Sequence, residues 1–163
     1  AAIIMEPSNT AGLIDYKMET YPEGALFTQV KGGGTYRHPD NPQTLNKDHY
    51  FTMSGPKVYK MARKKVYSMI NHLLSTNNLN TQDINLVVPH QASGAAIKAY
   101  TKFGGFNAEK VMNIISKYGN CVSASIPLAL CLAIEENKIQ DGDLIMIIGT
   151  GAGLSVASSI FKF

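Results

Sequence analysis

From Ile126 to Ile134 the chain reads Ile-Pro-Leu-Ala-Leu-Cys-Leu-Ala-Ile, with serines just before it that can cap a helix and Pro127 in the first turn. A helix that is apolar on every side has to be covered on every side. The apolar stretch from Ala124 to Ile134 is far short of the ~20 residues a membrane helix needs, so the cover is expected to be protein. One sheet covers one side of a helix. The rest of the cover calls for a second layer, which a lone domain of 163 residues can hardly provide.

The surrounding pattern supplies the first layer. Residues 1–6 and 11–20 read as strands around Pro7-Ser8-Asn9, and a turn-rich segment from Tyr21 to Gly55 carries one short strand at 26–30. A loop that long inside a compact domain points to substrate or partner contact. Ser54 and Pro56 open a helix to about Leu74, whose apolar residues from Val58 to Leu74 recur at three and four; Lys57, Lys60 and Lys64 lie on another, solvated face. A strand over 84–88, a helix over 92–103, a strand over 110–115, the apolar helix, a strand over 144–149 and a returning strand over 154–163 complete the order. Strands alternating with helices and ending in a hairpin imply an α/β fold, with a mostly parallel mixed sheet of about five strands and helices on both faces.

Composition narrows the function classes. Apolar residues make up 45 % and the net charge is only +3, which suits an acidic partner without demanding one. No arginine-rich or aromatic-interleaved stripe suggests nucleic acid, and no stretch is long enough to span a membrane. The amino end lacks initiator Met and secretory features and starts within a strand-like run, so we expect a cytoplasmic protein of which this chain is one piece. Cys121 and Cys131 show no spacing of a disulfide framework or zinc site and read as small buried residues.

Two polar side chains stand where an apolar strand stops and a helix begins: His90 after Leu86-Val87-Val88-Pro89, and Asn120 after the run that ends in Tyr118-Gly119. The carboxyl ends of strands in an open α/β sheet are where ligands gather. Neutral donors converging there suit an oxygen that becomes negative during reaction. Gly149-Thr150-Gly151-Ala152-Gly153 brings bare backbone to the same edge. A Cys121–His90–Asn120 protease is disfavoured, because adjacent side chains at a tight turn point apart and one cannot orient a histidine that faces the other. His90 has no second ligand at metal-binding spacing, so no metal site is expected; His38, His49 and His72 read as surface residues.

Val88-Pro89-His90-Gln91-Ala92, Tyr118-Gly119-Asn120 with Ser123 to Leu130, and Gly149 to Gly153 with Ile160-Phe161-Lys162-Phe163 resemble the C-terminal half of 3-oxoacyl-(acyl-carrier-protein) synthase III. Met53-Ser54-Gly55 with Val58-Tyr59-Lys60 extends the likeness over essentially the whole chain. The resemblance implies a thiolase-like half-domain spanning 1–163, whose buried helix packs against an N-terminal half that carries a nucleophilic cysteine. It implies acyl transfer from acyl-CoA, then decarboxylative condensation with malonyl-acyl carrier protein at the start of fatty acid biosynthesis, in a homodimer. It implies no cofactor beyond coenzyme A or phosphopantetheine thioesters as substrates. His90 and Asn120 would hydrogen-bond the malonyl thioester oxygen, Gly151 would present backbone to the acyl thioester, and Met53, Gly55, Ala92 and Ser93 would line the pantetheine path. Ser93 and Ala95 stand where the family has an asparagine and a carrier-docking arginine, and Pro56 where it has an asparagine. Lys98 and Lys102 offer charge to an acidic carrier along the same helix. A thiolase-like synthase using CoA thioesters in specialised metabolism, or a non-catalytic assembly subunit of the same fold, fits the departures as alternatives.

Overall fold

A computed structural model describes residues 1–163. Strand β1 (Gly12–Thr20) is followed by the two-residue strands β2 (Thr28–Gln29) and β3 (Thr52–Met53), which pair with each other, and by helix α1 (Gly55–Thr76). Then come β4 (Leu86–Pro89), α2 (Gly94–Gly104), the single turn α3 (Ile115–Tyr118), α4 (Ser125–Glu135), β5 (Leu144–Gly151) and β6 (Ser155–Lys162). The main sheet has the order β1-β6-β5-β4: β4 and β5 run parallel, and β6 is antiparallel to both its neighbours.

The fold is the expected α/β class with helices on both faces, and the expected hairpin after Gly149–Gly153 forms; the sheet is not mostly parallel as expected, because β6 returns antiparallel and β1 pairs antiparallel with it, leaving β4–β5 as the one parallel ladder. Two expected strands are reduced. Residues 1–6 are exposed and lie in no strand: Ala-Ala-Ile-Ile-Met-Glu has no two-residue alternation that would set one face against a core, and the outer edge of β1 stays unpaired. The fifth strand position survives as one parallel bridge, Val87 to Val111, with Met112 N–H donating to the Val87 carbonyl at 2.9 Å. The ladder stops there because the next backbone groups bond to a side chain, that of Gln91.

Alternation along the strands divides the core in two. Val87, Met146, Ile148, Val156 and Ile160 pack under α1 and α2 with Met69, Ile70, Leu73, Ile97 and Tyr100. Leu86, Val88 and Ile145 pack on the opposite face with Ala129 and Ala133 of α4. The stripe on α1 is the one read from spacing, and Asn78 follows that helix in the left-handed conformation (φ +54) that asparagine tolerates.

Helix α4 is covered on one side only. Ala129 and Ala133 are fully buried against the sheet, whereas Cys131 and Ile134 face outward. Both cysteines are free, and neither is buried as expected: Cys121 is half-buried and Cys131 exposed, on the side of α4 that this chain leaves bare. Beside it, Tyr16 and Met18 on β1 are 61 % and 72 % exposed. Tyr16 pairs with Ser159, which pairs with Ile147 of the α4-side core, so these apolar residues share one sheet face with α4.

Candidate functional site

The parallel pairing of β4 with β5 continues one residue past the strand: His90 N–H donates to the Ile148 carbonyl at 2.7 Å. That bond fixes the backbone from which the imidazole projects. The ring is half-buried, and burial pushes its pKa below the ordinary histidine value of 6.5. Neither ring nitrogen meets a hydrogen-bond partner within this chain, so the neutral ring keeps one N–H donor and one lone pair free for a ligand.

Gln91, fully buried, ties this loop to the next. Its Nε2 donates to the carbonyls of Pro89 (2.9 Å) and Met112 (3.2 Å), and its Oε1 accepts the Ile114 N–H at 3.0 Å. The segment so held leads through α3 into Gly119 (φ +70) and Asn120. Glycine takes that conformation without the strain a side chain would bring. The Asn120 Oδ1 accepts the Val122 N–H at 2.9 Å, which leaves its amide hydrogens free. Val122 itself has φ +51, a costly conformation for a β-branched residue and of the kind concentrated at functional sites.

A cavity of about 400 Å³ opens between α1 and α2. Its wall includes His90 and four of the expected substrate-binding residues: Met53, Gly55, Ala92 and Ser93. Tyr59, Arg63, Tyr67 and Thr150 line it as well. The Ser93 hydroxyl caps α2 by accepting the Ala96 N–H at 3.2 Å, while the Ser54 side chain makes no cap. Asn120 and Gly151 do not line this cavity. Asn120 is exposed in the loop beyond α3, and Gly151 borders a shallower depression with Thr20 and Ser155; Thr150 belongs to both walls. His38, His49 and His72 are exposed. Gln91 was missed by sequence reasoning, although an uncharged polar residue directly after a fully apolar strand was a usable signal.

The sequence model of the 3-oxoacyl-[acyl-carrier-protein] synthase III C-terminal domain matches residues 74–163, more than half of the chain. The chain belongs to this family. It is 41 % identical over 163 residues to a beta-ketoacyl-[acyl-carrier-protein] synthase III of Wolbachia pipientis wMel, covering 100 % of this chain and 48 % of the relative. The synthase III of Solibacter usitatus is 33 % identical over 158 residues, with coverages of 97 % and 48 %. Among solved structures, synthase III from Thermus thermophilus superposes with a TM-score of 0.83 at 27 % identity, covering 97 % of this chain and 48 % of that one. The Aquifex aeolicus enzyme gives 0.81 at 27 %, with coverages of 97 % and 46 %. The thiolase-like fold read from the motifs is therefore present, and the chain spans about half the length of the curated relatives it matches.

Proposed function

We propose that this chain is the C-terminal half of a condensing acyltransferase that joins an acyl thioester to malonyl-acyl carrier protein at the start of fatty acid biosynthesis. The observation that carries the reading is the imidazole of His90, unpartnered and kept neutral by burial at the wall of an apolar cavity, with Gln91 bonded from the next residue to the loop that leads to Asn120. Acyl-CoA charges a cysteine contributed by the N-terminal half. In the malonyl thioester the bond to the carboxylate then breaks, carbon dioxide leaves, and the electron pair passes into an enolate. A His90 ring N–H and an Asn120 amide N–H donate to the enolate oxygen. The enolate carbon attacks the acyl carbonyl and expels the cysteine thiolate. Gly151 backs the acyl thioester, and Met53, Gly55, Ala92 and Ser93 flank the pantetheine arm.

The bare side of α4 and the apolar face of β1 support a covering N-terminal half, because exposed apolar area of this extent marks an interface. Ala95, in place of the family's arginine, favours one second reading, in which malonate arrives on coenzyme A. In the intact enzyme, His90→Ala and Asn120→Ala should each slow malonyl decarboxylation by ~10²–10³, the usual loss for one oxyanion donor. Unchanged turnover rejects these roles, and comparing carrier-bound with coenzyme-bound malonate separates the two donors.

A further inference from the structure

Helices α1 and α2 carry a charge distribution unlike the rest of the chain. Lys57, Lys60, Lys64 and Lys65 with Arg63 on α1, and Lys98 and Lys102 on α2, account for seven of the 15 basic residues, while neither helix holds any of the 12 acidic ones. The remainder of the chain is therefore net negative, with 8 basic residues against 12 acidic. The cavity lies between these two helices. Its floor is a row of small side chains, Ala92 in the loop before α2 and Ala95, Ala96 and Ala99 along it, with Val58, Ala62 and Val66 of α1 also in the wall. Such a slot fits a slender, largely apolar arm.

Arg63 is the one lysine or arginine in that wall. Its guanidinium lies 4.9 Å from the centre of the Phe103 ring and 5.9 Å from that of Tyr59, and no carboxylate is within ion-pair distance of it. Stacking holds the planar fork in place while leaving its N–H donors unspent. Phe103 stands near the far end of α2 from His90, nine residues beyond Gly94, or ~14 Å at 1.5 Å per residue. His90 and Arg63 are thus the polar markers of two ends of one apolar slot.

Resting on the function proposed above, we infer that Arg63 is the phosphate-binding residue of the pantetheine slot: its fork receives the 4′-phosphate of the arm whose thioester lies at His90. A guanidinium matches phosphate with two parallel charge-assisted hydrogen bonds, which a lysine supplies only as a point charge. The same phosphate is present in coenzyme A and on a carrier protein, so Arg63 serves both donors. The surrounding lysines add field rather than contacts.

The test is calorimetric titration of the intact enzyme with 4′-phosphopantetheine and with unphosphorylated pantetheine, for the wild type, Arg63→Ala and Arg63→Lys. Wild type should prefer the phosphorylated arm by about tenfold to a hundredfold, the worth of hydrogen bonds to a charged group. Arg63→Ala should abolish that preference and leave pantetheine affinity within about twofold; Arg63→Lys should restore part of it. An unchanged preference in Arg63→Ala overturns the assignment, as does an equal loss for both compounds, which is the mark of a packing role. Failure of wild type to bind either compound overturns the slot itself, and with it the reading on which the assignment rests. In turnover, KM should rise in Arg63→Ala for both CoA-bound and carrier-bound malonate. A rise for the carrier alone would place Arg63 against the carrier's protein surface and refute phosphate recognition.

Discussion

Replacing Gln91 by leucine tests how the two loops of the site are coupled. The side chains are close in volume, so the perturbation is chiefly the loss of three hydrogen bonds, at 2.9, 3.2 and 3.0 Å. The Ile114 N–H is left without its partner in a buried setting, which costs about 1–3 kcal/mol. Each carbonyl bond lost, to Pro89 and to Met112, adds about 0.5–1.5 kcal/mol. The sum is roughly 2–6 kcal/mol, and the lower half of that range is expected because leucine itself is readily buried. Denaturant unfolding of the intact enzyme should show this as a lower midpoint at unchanged slope. Decarboxylation should fall in parallel with the His90 and Asn120 variants, since the loops that carry them are no longer tied. Gln91→Glu should be at least as damaging near neutral pH, because a carboxylate would face two carbonyl oxygens, and acid should partly relieve it by restoring an O–H donor. A Gln91→Leu protein within about 0.5 kcal/mol of wild type and fully active would refute the coupling, for that is the range of an inert surface change.

The lowered pKa of His90 makes the folded state refuse a proton that the unfolded chain accepts below 6.5. Its stabilising contribution is therefore complete above about 6.5 and is lost as pH falls through the folded-state value; His90→Gln should flatten that part of a stability-versus-pH curve. Ser93→Ala removes the cap of α2 and should cost about 1 kcal/mol, read as a shift in thermal midpoint. Ala133→Leu, at a fully buried contact of α4 with the sheet, should cost about 1–3 kcal/mol by overpacking, whereas the same change at the exposed Cys131 of this chain tests the covering half: loss of activity without loss of fold places a neighbour there.

Much of this fold could be read from period and punctuation. The stripe of α1, the apolar run of β5 with its glycine-marked return into β6 and the proline-started α4 each follow from local rules, and α4 also announced its missing cover through the lack of any polar face. The segment around Val111 could not be read in the same way. Its apolar run has strand character, but the buried amide of Gln91 takes the backbone groups a longer ladder would use, a competition settled only in three dimensions. Residues 1–6 are an apolar run without alternation, and no buried face fixes their register against the free edge of β1. At the site, a strand end marked His90 and glycines marked the β5–β6 turn; Asn120, read as a strand end too, follows the helical turn α3 instead. Arg63 escaped notice because arginine is ordinary on the polar side of an amphipathic helix; only its place in the cavity wall, beside Phe103 of another helix, sets it apart.

The account stands on one oxygen atom shared by two side chains. A crystal structure of the intact enzyme with a non-hydrolysable malonyl thioester analogue measures it directly. The thioester oxygen should lie about 2.7–3.2 Å from both a ring nitrogen of His90 and the amide nitrogen of Asn120. An oxygen bound by other groups, with Asn120 still turned to solvent, would contradict it.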